Sequence, residues 1–324
     1  MTRLAGVSAE RAVRAASWLA ESSAAGALLA AELAGESVLL GAYQERGVSG
    51  ARSELRGLCG GRSAFAGAGI AALWVLVGDL GRWGIEAGPG APSGPRVLNR
   101  LVRGALAGLK QIGVNASYPG RDFVAANGRR VAQLSLARGA RRQVVFQVLV
   151  GAERAFASAE PAPEFPGLPP LPEAAALGVG AQAVCSALLL GFARRFAFEL
   201  APAELSTDEL RAVAAAPLPP RDYPELAGLR AGAAVATPIG RLLAYVALEP
   251  DGALARVRLR GDFIAASAPL RALELALAGR APSAAATREL CARWLAEPES
   301  LVVGLVDPAA LVEALELGAR AAAR

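Results

Sequence analysis

Histidine is absent from this chain. Without imidazole there is no Ser-His-Asp or Cys-His relay, and no metal site built on histidine. Cysteine is scarce, since Cys59, Cys185 and Cys291 lie far apart with no Cys-x-x-Cys spacing. That pattern speaks against a disulfide framework or a thiolate zinc site and predicts a reducing cytoplasm. Lys110 is the sole lysine, so positive charge is almost wholly arginine. No basic stripe interleaved with aromatics is present, and no nucleic-acid partner is expected. Long apolar runs are also missing. Glu10, Arg11, Arg14 and Glu21 interrupt any signal-peptide core near the start. The uncharged stretch Ala174 to Ala193 is rich in Ala and Gly and holds Gln182 and Ser186, which predicts a buried helix and no membrane span.

What is present is a 324-residue chain with 54% hydrophobic residues, enough for one large domain plus a small one, or for two medium ones. Much of that fraction is alanine, so bulky core is less abundant than the total implies. The net charge of +5 is modest, and its densest group is Arg129, Arg130, Arg138, Arg141 and Arg142. An acidic protein partner or a phosphate-bearing ligand fits that charge.

Hydrophobic patterning predicts helix over 8–34 and a short buried strand at Ser37 to Gly41. A charged loop, Gln44 to Arg56, and a glycine-rich segment, Gly60 to Gly69, lead to a strand at Ile70 to Val77. An amphipathic helix is predicted over 94–112, with Val97, Leu98, Leu101, Leu106 and Leu109 on one side. Strands recur at Asp122 to Ala125, Arg130 to Leu136 and Gln143 to Val150, the first two joined by an Asn127-Gly128 turn. So many strands with few helices between them predict an α+β protein with a mixed or antiparallel sheet, unlike a doubly wound fold.

A proline-dense stretch, Glu160 to Pro172, predicts an extended surface connection. Helix is expected over 173–197, then an N-cap at Ser206. Pro217, Pro219, Pro220 and Pro224 set off a last unit with two strands, Leu242 to Leu248 and Ala255 to Leu259. Three helices follow, near 268–279, 285–296 and 308–322. The division read from this is a main domain over 1–215 and a small α+β accessory domain over 225–324.

Three ordered segments resemble the lipoate–protein ligase family of the biotin/lipoate ligase superfamily. Leu39-Leu40-Gly41-Ala42-Tyr43-Gln44 is similar to its first strand and turn. Arg56-Gly57-Leu58-Cys59-Gly60-Gly61-Arg62-Ser63-Ala64-Phe65 resembles its arginine plus glycine-rich lipoate loop. Gly120-Arg121-Asp122-Phe123-Val124 and Gly128-Arg129-Arg130-Val131-Ala132 resemble its paired strands. Gly240-Arg241-Leu242, Asp251-Gly252 and Gly261-Asp262-Phe263 resemble its accessory domain.

The resemblance implies an ATP-dependent ligase, which activates lipoate or a medium-chain acyl acid as acyl-AMP and passes it to a lysine of a lipoyl carrier domain. ATP and magnesium would be the cofactors. Arg130 and Asp122 would be the catalytic pair, with Asp122 as a magnesium or nucleotide contact. Arg56, Gly60, Gly61, Arg62, Ser63, Gly67, Gly69, Arg121 and Gln133 would contact acyl group or nucleotide.

Four positions depart from the family's pattern. Arg130 stands in place of its lysine, Arg62 in place of the loop's third glycine, and Gln133 in place of a glycine; Val145-Phe146 replaces His-Gly. For each role a plainer one stays open: Arg130 as a surface residue of an edge strand, Asp122 as a strand-start residue, Arg56 as a solvated loop residue, the glycines as a structural turn. Two other functions stay open as well. One is a catalytically degenerate relative that binds a lipoyl domain or acyl group. The other is an octanoyl or lipoyl acyltransferase of the same superfamily, for which Cys59 is the nearest thiol. A biotin ligase is disfavoured, because its Gly-Arg-Gly-x-x-Gly-Arg loop is absent.

Overall fold

A computed structural model describes residues 1–23, 26–47, 53–85, 93–139, 141, 143–156, 165–220 and 222–324. Arg142 and the first part of the proline-dense stretch, through residue 164, lie outside the described residues, as does the middle of the charged loop, 48–52.

The chain opens with strand β1 (Thr2–Ser8), helix α1 (Ala9–Ser22) and strand β2 (Ala27–Ala34). The single helix expected over 8–34 is therefore two elements. Ala27–Ala34 has the composition of a helix, yet it is held between β1 in parallel and β6 (below) in antiparallel pairing, so sheet burial overrides alanine's helix propensity. Strands β3 (Glu36–Leu40), β4 (Ser53–Arg56), β5 (Ala64–Gly67) and β6 (Ile70–Val77) follow, then α2 (Gly94–Gln111). Next come β7 (Ala116–Ser117), β8 (Phe123–Ala126), β9 (Arg129–Arg138), β10 (Val144–Gly151), α3 (Ala181–Phe196) and α4 (Thr207–Ala215). Helix α3 starts eight residues later than the expected position 173, because residues 173–175 bridge to β9 instead: the Arg130 N–H donates to the Glu173 carbonyl and the Ala175 N–H to the Arg130 carbonyl. No helix among the described residues is long and apolar enough to cross a membrane.

The main sheet has the order β1-β2-β6-β10-β9-β8-β7. Strand β6 sits in its middle and all eight of its residues are buried, which is why its sequence reads as an unbroken apolar run. Alternate side chains serve two cores. Leu73, Val75 and Val77 face α2 and α3, while Ala72, Trp74 and Leu76 face α1 and a small sheet ordered β4-β3-β5. Helices α2 and α3 touch backbone to backbone: a Cβ on Gly191 would lie 2.2 Å from the Gly108 nitrogen, and one on Gly104 would lie 2.6 Å from the Phe192 ring.

The remaining elements are β11 (Arg230–Ala231), β12 (Val235–Thr237), β13 (Gly240–Leu248), β14 (Leu254–Gly261), α5 (Ser267–Ala276), α6 (Ala285–Ala296) and α7 (Pro308–Ala322). The expected two strands are joined by two short ones, since β11 and β12 both pair with β13. The three helices fall where patterning put them. A third core fills this region, with Leu242, Val246, Leu259, Leu273 and Leu315 among its members. Tyr43, from the early part of the chain, belongs to that core.

Gly191→Ala should destabilise the protein by about 1–3 kcal/mol, because a methyl group has no room between two backbones. Gly180→Ala, whose Cβ would meet only Glu153 Oε1 at 3.8 Å, should change stability by a few tenths (~0.5 kcal/mol). Urea titration of both variants checks this; equal losses would contradict the close helix contact.

Candidate active site

The loop between β4 and β5 carries the glycine-rich segment, and its backbone is already engaged. The Gly60 N–H donates to the Leu136 carbonyl at 3.1 Å and the Gly61 N–H to the Phe263 carbonyl at 2.9 Å. A Cβ on Gly60 would lie 2.7 Å from the Phe263 oxygen. Gly61, at φ +116°, takes a conformation that favours glycine. The small residues here admit the C-terminal segment. Gly67 lets β5 close against Gly35, where a Cβ would come within 2.2 Å of the carbonyl oxygen. Gly69 turns the chain into β6 at φ +83° and accepts amide hydrogens from Ala152 and Glu153. Ser63 is buried beside this loop.

Arg62 points inward and meets Asp122, which precedes β8. Its Nε donates to Asp122 Oδ2 at 2.8 Å and its Nη2 to Oδ1 at 3.0 Å. Asp122 is 0% exposed and Arg62 9% exposed, so this is a two-point ion pair withdrawn from water. Gln133, on β9, donates from Nε2 to the Arg62 carbonyl. Arg62 and Gln133, together with Cys59, Ser135 and Gln147, line a cavity of about 10 Å³. That is room for a single water, on the usual requirement of about 10–15 Å³.

Arg130 lies on β9, an interior strand between β8 and β10, and so is not on an edge strand. Its side chain is half-buried, and Nε donates to the Pro172 carbonyl at 2.5 Å. Burial lowers its pKa to about 10; Arg62 and Arg121 add to that effect and Asp122 opposes it. Arg121 donates to the Pro169 carbonyl at 3.3 Å and to the Pro238 carbonyl. Arg62, Arg121 and Arg130 thus share the neighbourhood of one carboxylate.

Arg56 is gathered elsewhere. It is buried, donating to the carbonyls of Gln44 and Pro220 and to the Tyr223 hydroxyl, the last at 2.8 Å. It is not a solvated loop residue. Cys59 is buried, and desolvation pushes its thiol pKa well up, away from the thiolate needed for acyl transfer.

The magnesium implied by the resemblance does not fit these residues. Both oxygens of Asp122 are held by a guanidinium, and no group of three or more His, Cys, Asp or Glu side chains able to hold a metal occurs among the described residues. The ATP implied by it finds the loop amides of Gly60 and Gly61 already donating to protein carbonyls.

Residue patterns alone did not single out the joint beside this loop. Tyr43 stacks on Phe263 with centroids 4.9 Å apart and planes 6° apart, and its hydroxyl donates to the Ala265 carbonyl at 2.9 Å. Gln44 accepts the Gly41 N–H at 2.7 Å and donates to Asp262. Burial raises the Asp262 pKa, against the lowering effect of Gln44 and the Arg241 N–H. The sequence signal available for this joint was the Gly-x-Tyr-Gln turn itself.

Removing one member of the central pair, as in Asp122→Ala, should cost about 3–5 kcal/mol, whereas Arg62→Met with Asp122→Leu together should cost far less. A double-mutant cycle measured by chemical denaturation checks this. Additive single losses would contradict a coupled pair.

No protein-family model matches the sequence, and no curated protein matches it either. Solved structures do. The chain is similar to P. falciparum LipL1 in complex with lipoate, at TM-score 0.55 and 10% identity, covering 81% of this chain and 84% of that one. It is also similar to a lipoate-protein ligase A bound with ATP, at TM-score 0.49 and 11% identity, over 66% of this chain and 93% of that one. A bi-partite lipoate protein ligase from Thermoplasma acidophilum, solved in a study of that ligase and its E2 lipoyl domain, gives 0.48 and 12%, over 66% and 91%. With its seven-stranded mixed sheet and flanking helices, the chain has the fold of the lipoate–protein ligases.

Proposed function

We propose that this chain is a catalytically degenerate relative of the lipoate–protein ligases, which keeps the fold to bind a lipoyl carrier domain in a reducing cytoplasm. The observation that supports it is the Arg62–Asp122 pair. It lies in the region where the resemblance sets the acyl group and nucleotide, and the cavity that Arg62 lines with Gln133 is only about 10 Å³. A lipoyl chain of eight carbons needs far more room than one water. A basic recess lined by Arg96, Asn99, Arg100, Arg103 and Arg195 offers an acidic carrier domain a complementary face. In this reading residues 1–215 and 225–324 are the main and accessory domains, joined through Tyr43, Gln44, Phe263 and Asp262.

A second reading is favoured by one specific observation. Asp122 pairs with Arg62 and its charge also acts on Arg121 and Arg130, so opening the pair would leave three guanidiniums in the neighbourhood of the glycine loop. That charge suits a triphosphate. In this reading the protein is an ATP-dependent ligase for lipoate or octanoate, and Arg130 does the work of the family's lysine.

ATP–pyrophosphate exchange with lipoate and with octanoate separates the two. The first reading expects no acid-dependent exchange by the natural protein, and none in Arg130→Lys. Exchange that requires the acid and drops at least a hundredfold in Arg130→Ala would overturn it in favour of the ligase. Exchange gained only when Arg62→Gly and Gln133→Gly are combined would identify the filled pocket as the cause of the loss.

A further inference from the structure

Helices α2 and α3 have no acidic residue in their 18 and 16 positions, unlike every other α-helix described. Elsewhere arginines on a helix meet acids one turn away, Arg14 with Glu10 on α1 and Arg211 with Asp208 on α4, each at 3.0 Å. On α2 and α3 no such neighbour exists. Arg100 and Arg103 of α2 and Arg195 of α3 line a recess of about 370 Å³, and Arg194 beside them in the chain is exposed. We propose that this end of α2 and α3 docks an acidic protein face, that of the carrier domain, and holds it on the side of the main sheet away from the glycine loop. The carrier's identity rests on the reading above; the placement of the dock does not.

These cations are available to a partner. Arg103 and Arg195 are exposed; Arg103 makes only a 3.3 Å bond to Asn99 Oδ1, and Arg195 only a contact with the Phe196 ring. Arg100 donates from Nε to the Trp83 carbonyl at 2.7 Å and lies over the same ring, with neither Nη bonded among the described residues. Arg96, also in the recess, already has an interaction of its own, and the dock does not depend on it. Of the acids nearby along the chain, Asp79 accepts the Gly81 N–H at 2.9 Å. Neither it nor Glu199 forms an ion pair with these arginines among the described residues, and Glu86 lies outside them. The helix dipole favours Arg194 and Arg195 in the last turn of α3, but it gives no reason for Arg100 and Arg103 in the middle of α2.

The two faces of the sheet fix where the dock lies. Leu134 and Leu136 of β9 and Phe146 and Val148 of β10 belong to the core beneath α2 and α3. Their alternates Gln133, Ser135, Gln147 and Leu149 line the Arg62 cavity on the opposite face. A helix layer about 10 Å thick, and the sheet itself, therefore stand between a docked partner and the glycine loop. Exposed guanidiniums spread over two helices suit an extended acidic protein surface better than one small phosphate, which needs converging donors. Leu190, 44% exposed and one turn from Arg194 on the same side of α3, adds the apolar contact a protein interface uses. A nucleic acid finds nothing here to stack on, since the Phe196 ring is taken by Arg100 and Arg195, at 5.6 and 5.8 Å from its centroid.

The test is calorimetric titration of the full chain with the unlipoylated carrier domain of the same organism, at low and at raised ionic strength. The expected result is one-to-one binding that weakens with salt and falls roughly tenfold or more in Arg103→Glu and in Arg195→Glu. It should be unchanged in Arg11→Glu, an exposed position of α1 on the other side of the sheet. Arg103 and Arg195 are exposed and hold no buried partner, so both variants should fold, which an unchanged melting temperature checks. Replacing the carrier's acceptor lysine by alanine should leave the affinity as it was, because that lysine is held away from the loop. Binding that ignores Arg103→Glu and Arg195→Glu, or that is lost with the lysine, would overturn the inference and leave the carrier-binding reading standing. No binding of the carrier at all would overturn both. A short DNA duplex bound more tightly than the carrier at the same salt would make this a nucleic-acid surface and overturn the inference as well.

Discussion

Arg62 crosses from the loop after β4 to Asp122, in front of β8, and both charges leave water to meet. Such a pair has to be well made, because burying either charge alone costs several kcal/mol, roughly 3–5 by the usual measure of a broken pair. Here the geometry is two-pronged, and Gln133 fixes the backbone from which Arg62 springs. That contact ties the loop to the start of β8, and Arg62 fills one wall of the small adjoining cavity. A glycine at position 62 would leave Asp122 unpaired and the cavity open, so one side chain decides between a pocket and a core.

The second constraint is the way the C-terminal unit seats on the same loop. Phe263 accepts the Gly61 amide, its ring stacks on Tyr43, and its neighbour Asp262 takes Gln44. Both loop amides are used within the protein, Gly60 on Leu136 of β9 and Gly61 on Phe263. The two constraints act together, since the ion pair fills the inside of the loop while the C-terminal segment covers its outside. An arginine-lined cleft arises at the edge of this seat, where β14 and α5 approach Arg56 and Tyr223.

Much of this fold was legible because local pattern and tertiary role agree. β6 reads as a buried strand since it is buried on both faces, and α2 reads as amphipathic since one side of it packs on the sheet. Residues 27–34 misled because alanine carries no mark of the sheet that surrounds it. The site was legible only as separate residues. Arg62 stood out as a departure and Asp122 as a retained carboxylate, but nothing in the sequence joins positions 60 residues apart. Arg258, Arg260 and Glu274 look like ordinary surface charges of a strand and a helix; only the packing of α5 on β14 turns them into a buried cluster.

The most direct test of the closed loop is native-state hydrogen exchange at the Gly60 and Gly61 amides, with and without ATP and octanoate. If these amides are committed to Leu136 and Phe263, both should exchange only through large-scale unfolding, with protection close to the global stability and unchanged by either ligand. Fast exchange in the free protein, or protection that rises when ATP and octanoate are added, would contradict the account and mean that the loop remains available to a ligand.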